Sequence, residues 1–365
     1  MVAGREETTN RIHELDVLRG VALCGIFLVN MVDFSGSALR VGTFAARGTA
    51  VDQIVDLAIA CFALTKFYLL FSFLFGVGFA VQMQRMQQSG RPFLRLYLQR
   101  LSVLLLIGLT HSILVWDGDI LRLYVLAGVL LLTLRNQPSR MLLLIAGGIA
   151  LAGAAYFSCV PIEDASTLTS PASVSAYSSG TYVDVVMLRA SERSIVDIQI
   201  PMVFTMFLVG LVVGREDILS NIRNHEVFLR RAWKVALPLG IIGSLALLVG
   251  YITSNPLFVS LSIHVGAPLL SFAYFALIVL NARRLRLFAY AGRMALTNYL
   301  MQSVVATTLF YGYGFGLYDQ FSATVSTFLA LLILAAQIAL SKMWLSRYPM
   351  GPMEWVWRRL AGVGR

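Results

Sequence analysis

The sequence predicts an all-α fold, a polytopic bundle of about ten transmembrane helices with both termini cytoplasmic. Three observations predict it. The 365 residues are 58% hydrophobic and only 13% charged, with mean hydropathy +0.76, more apolar surface than a water-soluble domain of that length tolerates. Apolar runs of about 18 residues or more recur along the whole chain, leaving no stretch for a separate soluble domain, so residues 1–365 read as one integral membrane domain. The cations gather in alternate connections between those runs.

The first run, LDVLRGVALCGIFLVNMVDF (15–34), is long enough to span a bilayer yet carries Asp16, Arg19, Asn30 and Asp33. At ~100° per residue, eleven positions bring a helix back to within ~20° of its starting azimuth, so Arg19 and Asn30 share a face about 16 Å apart. In hydrocarbon such a stripe must meet another helix, water or a ligand. VDQIVDLAIACFAL (51–64), with Asp52 and Asp56 four apart, reads as an interfacial or re-entrant helix, because a full crossing there would invert every later connection. Further spans follow at 65–83, 101–116, 119–134, 141–160, 198–214, 234–253, 256–281, 289–311 and 323–344.

If the spans alternate, one side receives Arg85, Arg91, Arg95 and Arg100, then Arg135 and Arg140, then Arg215, Arg223, Arg230, Arg231 and Lys234. Arg283, Arg284 and Arg286 fall on the same side, as do Arg347, Arg358 and Arg359. The positive-inside rule makes that side cytoplasmic, together with the N-terminal segment 1–14 and the basic tail 345–365. The opposite side takes Asp33, the DGD turn 117–119, the long Ser/Thr-rich loop 161–196 and YGYGFGLYD.

Several function classes drop out. MVAGREETTN has no basic n-region leading into a short apolar core, so the first span reads as retained and not as a cleaved signal. The net charge of +10 is dispersed in short topology-setting clusters, so no nucleic-acid partner is expected. Cys24, Cys61 and Cys159 show neither CxxC nor Cys/His spacing, so no disulfide framework and no metal site are expected. No P-loop, strand-borne GxGxxG or HExxH occurs.

His111, in RLSVLLLIGLTHSILVWDGDIL, is the histidine most embedded in an apolar span and the natural base near neutrality. Arg100 lies eleven positions before it, repeating the Arg19–Asn30 spacing. Asp117 or Asp119, in the turn placed at the outer surface, can fold back to hold the imidazole tautomer; the plainer alternative is a histidine bonded to a backbone carbonyl. Lys66 begins an aromatic-rich span near the outer interface, where it either snorkels or pairs with Asp33, Asp56 or Asp119 at the mouth of a cavity. Asn298 and Gln302, four apart, line a substrate wall or bond between helices. His264, beside Gly266 and Pro268 where a helix becomes irregular, ranks second to His111. Arg19, Arg95, Arg100 and Arg293 approach the cationic face, where they can grip a phosphorylated ligand.

RIHELDVLRGVALCGIFLVNM, KFYLLFSFLFGVGF, THSILVWDGDILRLY, GRMALTNYLMQS and GPMEWVWRRL together resemble the YeiB-like family of bacterial inner-membrane proteins over essentially the full length. That family is similar to a wider group of transmembrane acyltransferases, including heparan-alpha-glucosaminide N-acetyltransferase and bacterial surface-polysaccharide O-acyltransferases. The resemblance implies a bacterial inner-membrane location and acyl transfer from cytoplasmic acyl-CoA, the donor substrate, to an extracytoplasmic or membrane-embedded hydroxyl or amine. Arg19 and Asn30 match the arginine-then-ten-residues motif of the first span. The glucosaminide enzyme has a histidine shortly after that asparagine, whereas Met31 to Lys66 contains none here. Either His111 takes the base role from another helix, or this branch does different chemistry.

The expected enzyme therefore uses His111 as base, Asn30 to orient the acyl carbonyl or oxyanion, Asp117 or Asp119 to orient the base, and the arginines to hold CoA phosphates. Lys66, Asn298 and Gln302 would face the substrate. The acceptor would be a small molecule or glycan, membrane lipids surround the chain, and homo-oligomerisation is left open. The competing expectation is a secondary transporter or exporter of a small metabolite, with the intramembrane Asp, His and Lys as a proton relay and Pro201, Pro238, Pro268, Gly76 and Gly78 as helix-breaking positions.

Overall fold

In a computed structural model of the chain, residues 12–36, 49–90, 92–160, 171–191, 196–216, 218–219 and 221–362 are described. Residues 1–11 of the N-terminal segment, 161–170 and 192–195 of the Ser/Thr-rich loop, and 363–365 of the tail lie outside them.

Every apolar run of the sequence falls on a helix. In chain order these are α1 (His13–Phe34), α2 (Ala50–Phe62), α3 (Lys66–Gln88), α4 (Phe93–Leu114), α5 (Leu121–Leu134) and α6 (Ser139–Cys159). Two short helices, α7 (Pro171–Ser179) and α8 (Tyr182–Ser191), lie in the Ser/Thr-rich connection. The second half contributes α9 (Val196–Arg215), α10 (Ile222–Thr253), α11 (Pro256–Leu280), α12 (Phe288–Arg293), α13 (Ala295–Phe310), α14 (Ala323–Leu345) and α15 (Pro352–Leu360). Seven candidate spans among the described residues are long and apolar enough to cross a membrane, with α2 and α3 counted together as Ala50–Gln88.

Burial orders the bundle. The most apolar stretch of α1 is 67% buried, against 22% for α4, 17% for α6 and 22% for α14. α1 is thus the inner helix, packed by α3, α12, α13 and α14, while the outward faces of α4, α6 and α14 suit a lipid surround. Small residues make the close crossings. A Cβ on Gly76 of α3 would sit 2.2 Å from the Phe207 carbonyl oxygen, and one on Gly210 of α9 would sit 2.1 Å from that of Phe73. These two backbones touch through a glycine pair, as expected where packing and not hydrophobic exclusion joins helices.

The 51–64 segment enters the bundle. Its first turn meets α14, where Asp52 Oδ1 accepts from the Thr324 backbone N–H at 3.1 Å and from the Thr324 hydroxyl at 2.6 Å. Its last carbonyls meet α11, Phe62 accepting from the Tyr274 hydroxyl at 2.9 Å. The chain breaks at Thr65, whose φ of +70° is left-handed, and continues as α3. By contrast α3, α9 and α10 run unbroken through Gly76 and Gly78, Pro201 and Pro238, respectively. The irregularity expected around His264 is present as a π-turn, Ser262–Gly266.

Candidate functional site

Polar and apolar stripes of several helices converge on one cavity of about 270 Å³. From α1 come Arg19, Leu23 and Ile26, spaced i, i+4, i+7 on the face predicted to be polar. α3 adds Phe71, Phe75, Phe79 and Gln82; α4 adds Tyr97, Arg100, Leu101 and Leu104. α13 supplies Leu296 and Tyr299, and the C-terminal segment supplies Met350, Glu354, Trp357 and Arg358. Arg358 is exposed, so this end reaches the surface, and it holds Arg19, Arg100 and Arg293 as well.

These guanidiniums are held by neighbours. Arg19 Nη1 is 3.8 Å from Asp16 Oδ1, and the missing side chain of Gly78 leaves room for Arg19 Nη2. Arg100 Nη1 donates to Gln82 Oε1 at 2.7 Å and stacks 4.5 Å from the centre of the Trp357 ring, whose Nε1–H donates to the Arg100 carbonyl. Arg293 Nη2 donates to the Pro349 carbonyl at 3.1 Å. Glu354 of α15 accepts from the Leu296 and Thr297 backbone N–H groups and the Thr297 hydroxyl, tying the C-terminal helix to the first turn of α13. The arrangement is a cationic mouth leading into an apolar, aromatic slot.

The slot ends at Ile120, Leu121, Tyr124 and Tyr299. Immediately behind them lies a buried dyad: His111 Nδ1 is 2.8 Å from Asp119 Oδ2, with side-chain exposures of 2% and 0%. Asp119 is fixed from three sides. Its Oδ1 accepts from the Arg122 backbone N–H at 3.1 Å, a contact that caps the first turn of α5, and Arg122 Nε lies 4.0 Å away. Its Oδ2 also accepts from the Tyr299 hydroxyl at 3.4 Å. Gly108, one turn before His111, permits the approach, since a Cβ there would lie 3.0 Å from Asp119 Oδ1. With Nδ1–H aimed at a carboxylate, the lone pair of a neutral imidazole sits on Nε2, and that atom is buried with no hydrogen-bond partner. A base oriented by a carboxylate and offering a free second nitrogen can take a proton from a hydroxyl or amine.

The other predicted residues separate into those the structure brings to this site and those it does not. The DGD turn reaches the surface at one side only: Gly118 is exposed and Asp117 42% exposed, whereas Asp119 folds inward and is buried. Asp117 turns away to the buried Arg189 of α8, at 4.0 Å, and to the Tyr177 hydroxyl, at 3.4 Å. Nearby, burial and the carboxylates of Asp33 and Asp319 push the Tyr318 phenol up to about 12. Asn30 continues the α1 stripe one turn beyond Ile26 but does not line the cavity. Arg95, five residues before Arg100 and so about 140° round the helix, lies instead in a surface groove with Leu94, Leu98 and Leu360.

Lys66 is buried and, among the described residues, has no carboxylate in ion-pair distance. The break at Thr65 folds it under α2, where Nζ donates to the Ala60 carbonyl at 3.2 Å, while the Lys66 carbonyl accepts from Ser271 at 2.7 Å. Asn298 and Gln302 belong to the α13–α14 seam: Asn298 Nδ2 donates to Ser341 Oγ at 2.9 Å and Gln302 Nε2 to Gln337 Oε1 at 3.0 Å. Neither lines the slot that Tyr299 lines. His264 Nδ1 lies 3.0 Å from the Ser260 carbonyl, against Phe157, within the π-turn and apart from the cavity. Among the described residues no group of three or more His, Cys, Asp or Glu could hold a metal ion. Tyr299, Gln82, Glu354 and Trp357 line the cavity without a signal of their own in the sequence, and Arg358 reads there only as a topology-setting cation.

Comparisons with known proteins agree on one relationship. Residues 213–363 match the family model described as Protein of unknown function (DUF418). The chain is 33% identical to the uncharacterized protein YxaH of Bacillus subtilis (strain 168), over 96% of this chain and 94% of that one. It is 31% identical to an uncharacterized 39.9 kDa protein encoded in the amylase 3' region of Bacillus acidopullulyticus, over 96% and 93%. It is 29% identical to the uncharacterized protein YeiB of Escherichia coli (strain K12), over 95% of each.

Proposed function

This chain belongs to the DUF418, YeiB-like family of bacterial multi-pass membrane proteins, and we propose that it is a transmembrane acyltransferase whose donor is cytoplasmic acyl-CoA. The observation that supports this reading best is a sequence of environments along one path. Arginines line the exposed mouth, an aromatic slot follows, and the His111–Asp119 dyad lies behind its blind end. A molecule that is polyanionic at one end and carries a long neutral arm with a thioester at the other matches that order.

In this reading Arg19, Arg100 and Arg293 hold the phosphates of the donor, with Arg358 at the rim. The arm occupies the slot between α1, α3 and α4, which is too small for the nucleotide. His111 Nε2 takes the proton of an acceptor hydroxyl or amine as its oxygen or nitrogen attacks the thioester carbon. The tetrahedral intermediate then expels the CoA thiolate, which recovers the proton from the imidazolium. Asp119 steadies the transient positive charge. Ten crossings with both termini cytoplasmic put the mouth where CoA is found, and the bacterial inner membrane is the location this requires.

The transporter reading keeps one of its expected irregularities, the π-turn before Pro268, while α3, α9 and α10 run on through its other four positions. Titration of the detergent-purified full chain with CoA and acetyl-CoA tests the proposal. Arg19→Ala should weaken binding by about tenfold or more, the worth of a charge-assisted contact, whereas His111→Ala should bind normally and turn over nothing. Wild-type protein without measurable affinity for either nucleotide would overturn the reading.

A further inference from the structure

Of the residues at the end of the slot, Tyr299 touches both members of the dyad. Tyr299 of α13 lines the end of the slot, and its ring centre lies 5.2 Å from that of His111. Its hydroxyl accepts from the Ile120 backbone N–H at 3.3 Å and donates to Asp119 Oδ2 at 3.4 Å. Neither His111 nor Asp119 lines the cavity, although Ile120 and Leu121, next in sequence to Asp119, do.

We infer that Tyr299 is a gate: in this structure it closes His111 off from the donor cavity, and it must swing aside before any group in the slot meets Nε2. Both hydrogen bonds of the phenol, at 3.3 and 3.4 Å, are longer than the usual N–H and O–H ranges, so releasing them costs little compared with moving a helix. The free Nε2 gives the same conclusion from the other side. An imidazole nitrogen buried without a partner is costly, and a substrate group admitted past the phenol would satisfy it.

The device has a clear use. Asp117, two residues from Asp119, is 42% exposed at the opposite end of the bundle, so few side chains separate the dyad from that side. A dyad open to both sides would pass protons across the membrane and admit water to a bound thioester. A closed phenol prevents both until the donor arrives. The inference rests on His111 as the base, but its test reads chemical access and no transfer, so its outcome is separate from that of CoA binding.

The full chain, purified in detergent, is treated with diethyl pyrocarbonate, and the rates of modification at individual histidines are followed by peptide mass spectrometry, with the exposed His13 as reference. His111 in the wild type should react roughly 100-fold more slowly than His13, as a group that reacts only on local opening. Tyr299→Ala should raise the His111 rate at least tenfold, and Tyr299→Phe, which keeps the ring, should stay within threefold of wild type. If Tyr299→Ala does not fold, Tyr299→Leu, which keeps much of the volume but not the ring, should raise the rate at least threefold. A wild-type His111 as reactive as His13, or a rate that truncation of the ring leaves unchanged, would overturn the gate.

Discussion

Asp119 is the residue on which the site turns, because one carboxylate serves both structure and chemistry. Its Oδ1 caps α5 through the Arg122 N–H, and its Oδ2 receives His111 and Tyr299. Asn at 119 keeps the size and, through Oδ1, the acceptor for the Arg122 N–H, but it loses the charge and presents an N–H to the imidazole, favouring the wrong tautomer. Asp119→Asn is therefore expected to lower acyl turnover by roughly 10⁴-fold, the loss seen when the acid of a His–Asp pair is neutralised. CoA affinity and the thermal unfolding midpoint should change little. A variant with wild-type turnover would remove Asp119 from the mechanism. The sequence presented Asp117 and Asp119 as equals; the choice depends on which of them caps the following helix and which meets Arg189, 70 or more residues away. Tyr299 was less legible still. It sits 180 residues from Asp119 in an aromatic-rich apolar span where any tyrosine reads as core.

Elements carried more of the site in their periodicity. The α1 stripe was readable because Arg19 and Asn30 are separated by three helical turns within one run, and Arg19, Leu23 and Ile26 do face the cavity. The tail GPMEWVWRRL was readable only as a basic cytoplasmic segment. As α15 it forms part of the cavity wall, Trp357 stacking on Arg100 and Glu354 capping α13. No local pattern reveals that role, since it depends on which helix end the tail meets. Truncation after Gly351 removes Trp357, Arg358 and the Glu354 cap together. It is expected to weaken CoA binding by at least about tenfold while leaving membrane insertion intact, because every candidate span precedes it. Unchanged binding in the truncated chain, followed by the same titration, would exclude α15 from the donor site. The α13–α14 amide seam shows the converse case: Asn298 and Gln302 had the spacing of a substrate wall, and their partners Ser341 and Gln337 absorb them into packing.

At the scale of the whole molecule, the two ends of the bundle differ in charge, and the proposed reaction depends on which end faces the cytoplasm. Apolar length alone located every long helix. It did not settle the number of crossings, because α5 is only 14 residues, about 21 Å, and starts just after the buried Asp119. Ends joined in space extend the pattern of cations: Arg215 of α9 donates to the carbonyls of Arg135 and Gln137, bringing two basic connections together. The tyrosine-rich turn after α13 lies at the other end, with Asp117 and Asp319. In a background with Ser replacing Cys24, Cys61 and Cys159, Phe315→Cys in that turn (72% exposed in the native residue) should label with an impermeant maleimide on intact spheroplasts. Arg284→Cys, in an exposed basic connection, should label only after the membrane is permeabilised. The reverse pattern would put the arginine mouth outside the cell, where no CoA is available, and would rule out the donor even if purified protein bound it. The expected pattern places donor and dyad on one inward-opening path, so that the acceptor reaches His111 from the side of Asp117.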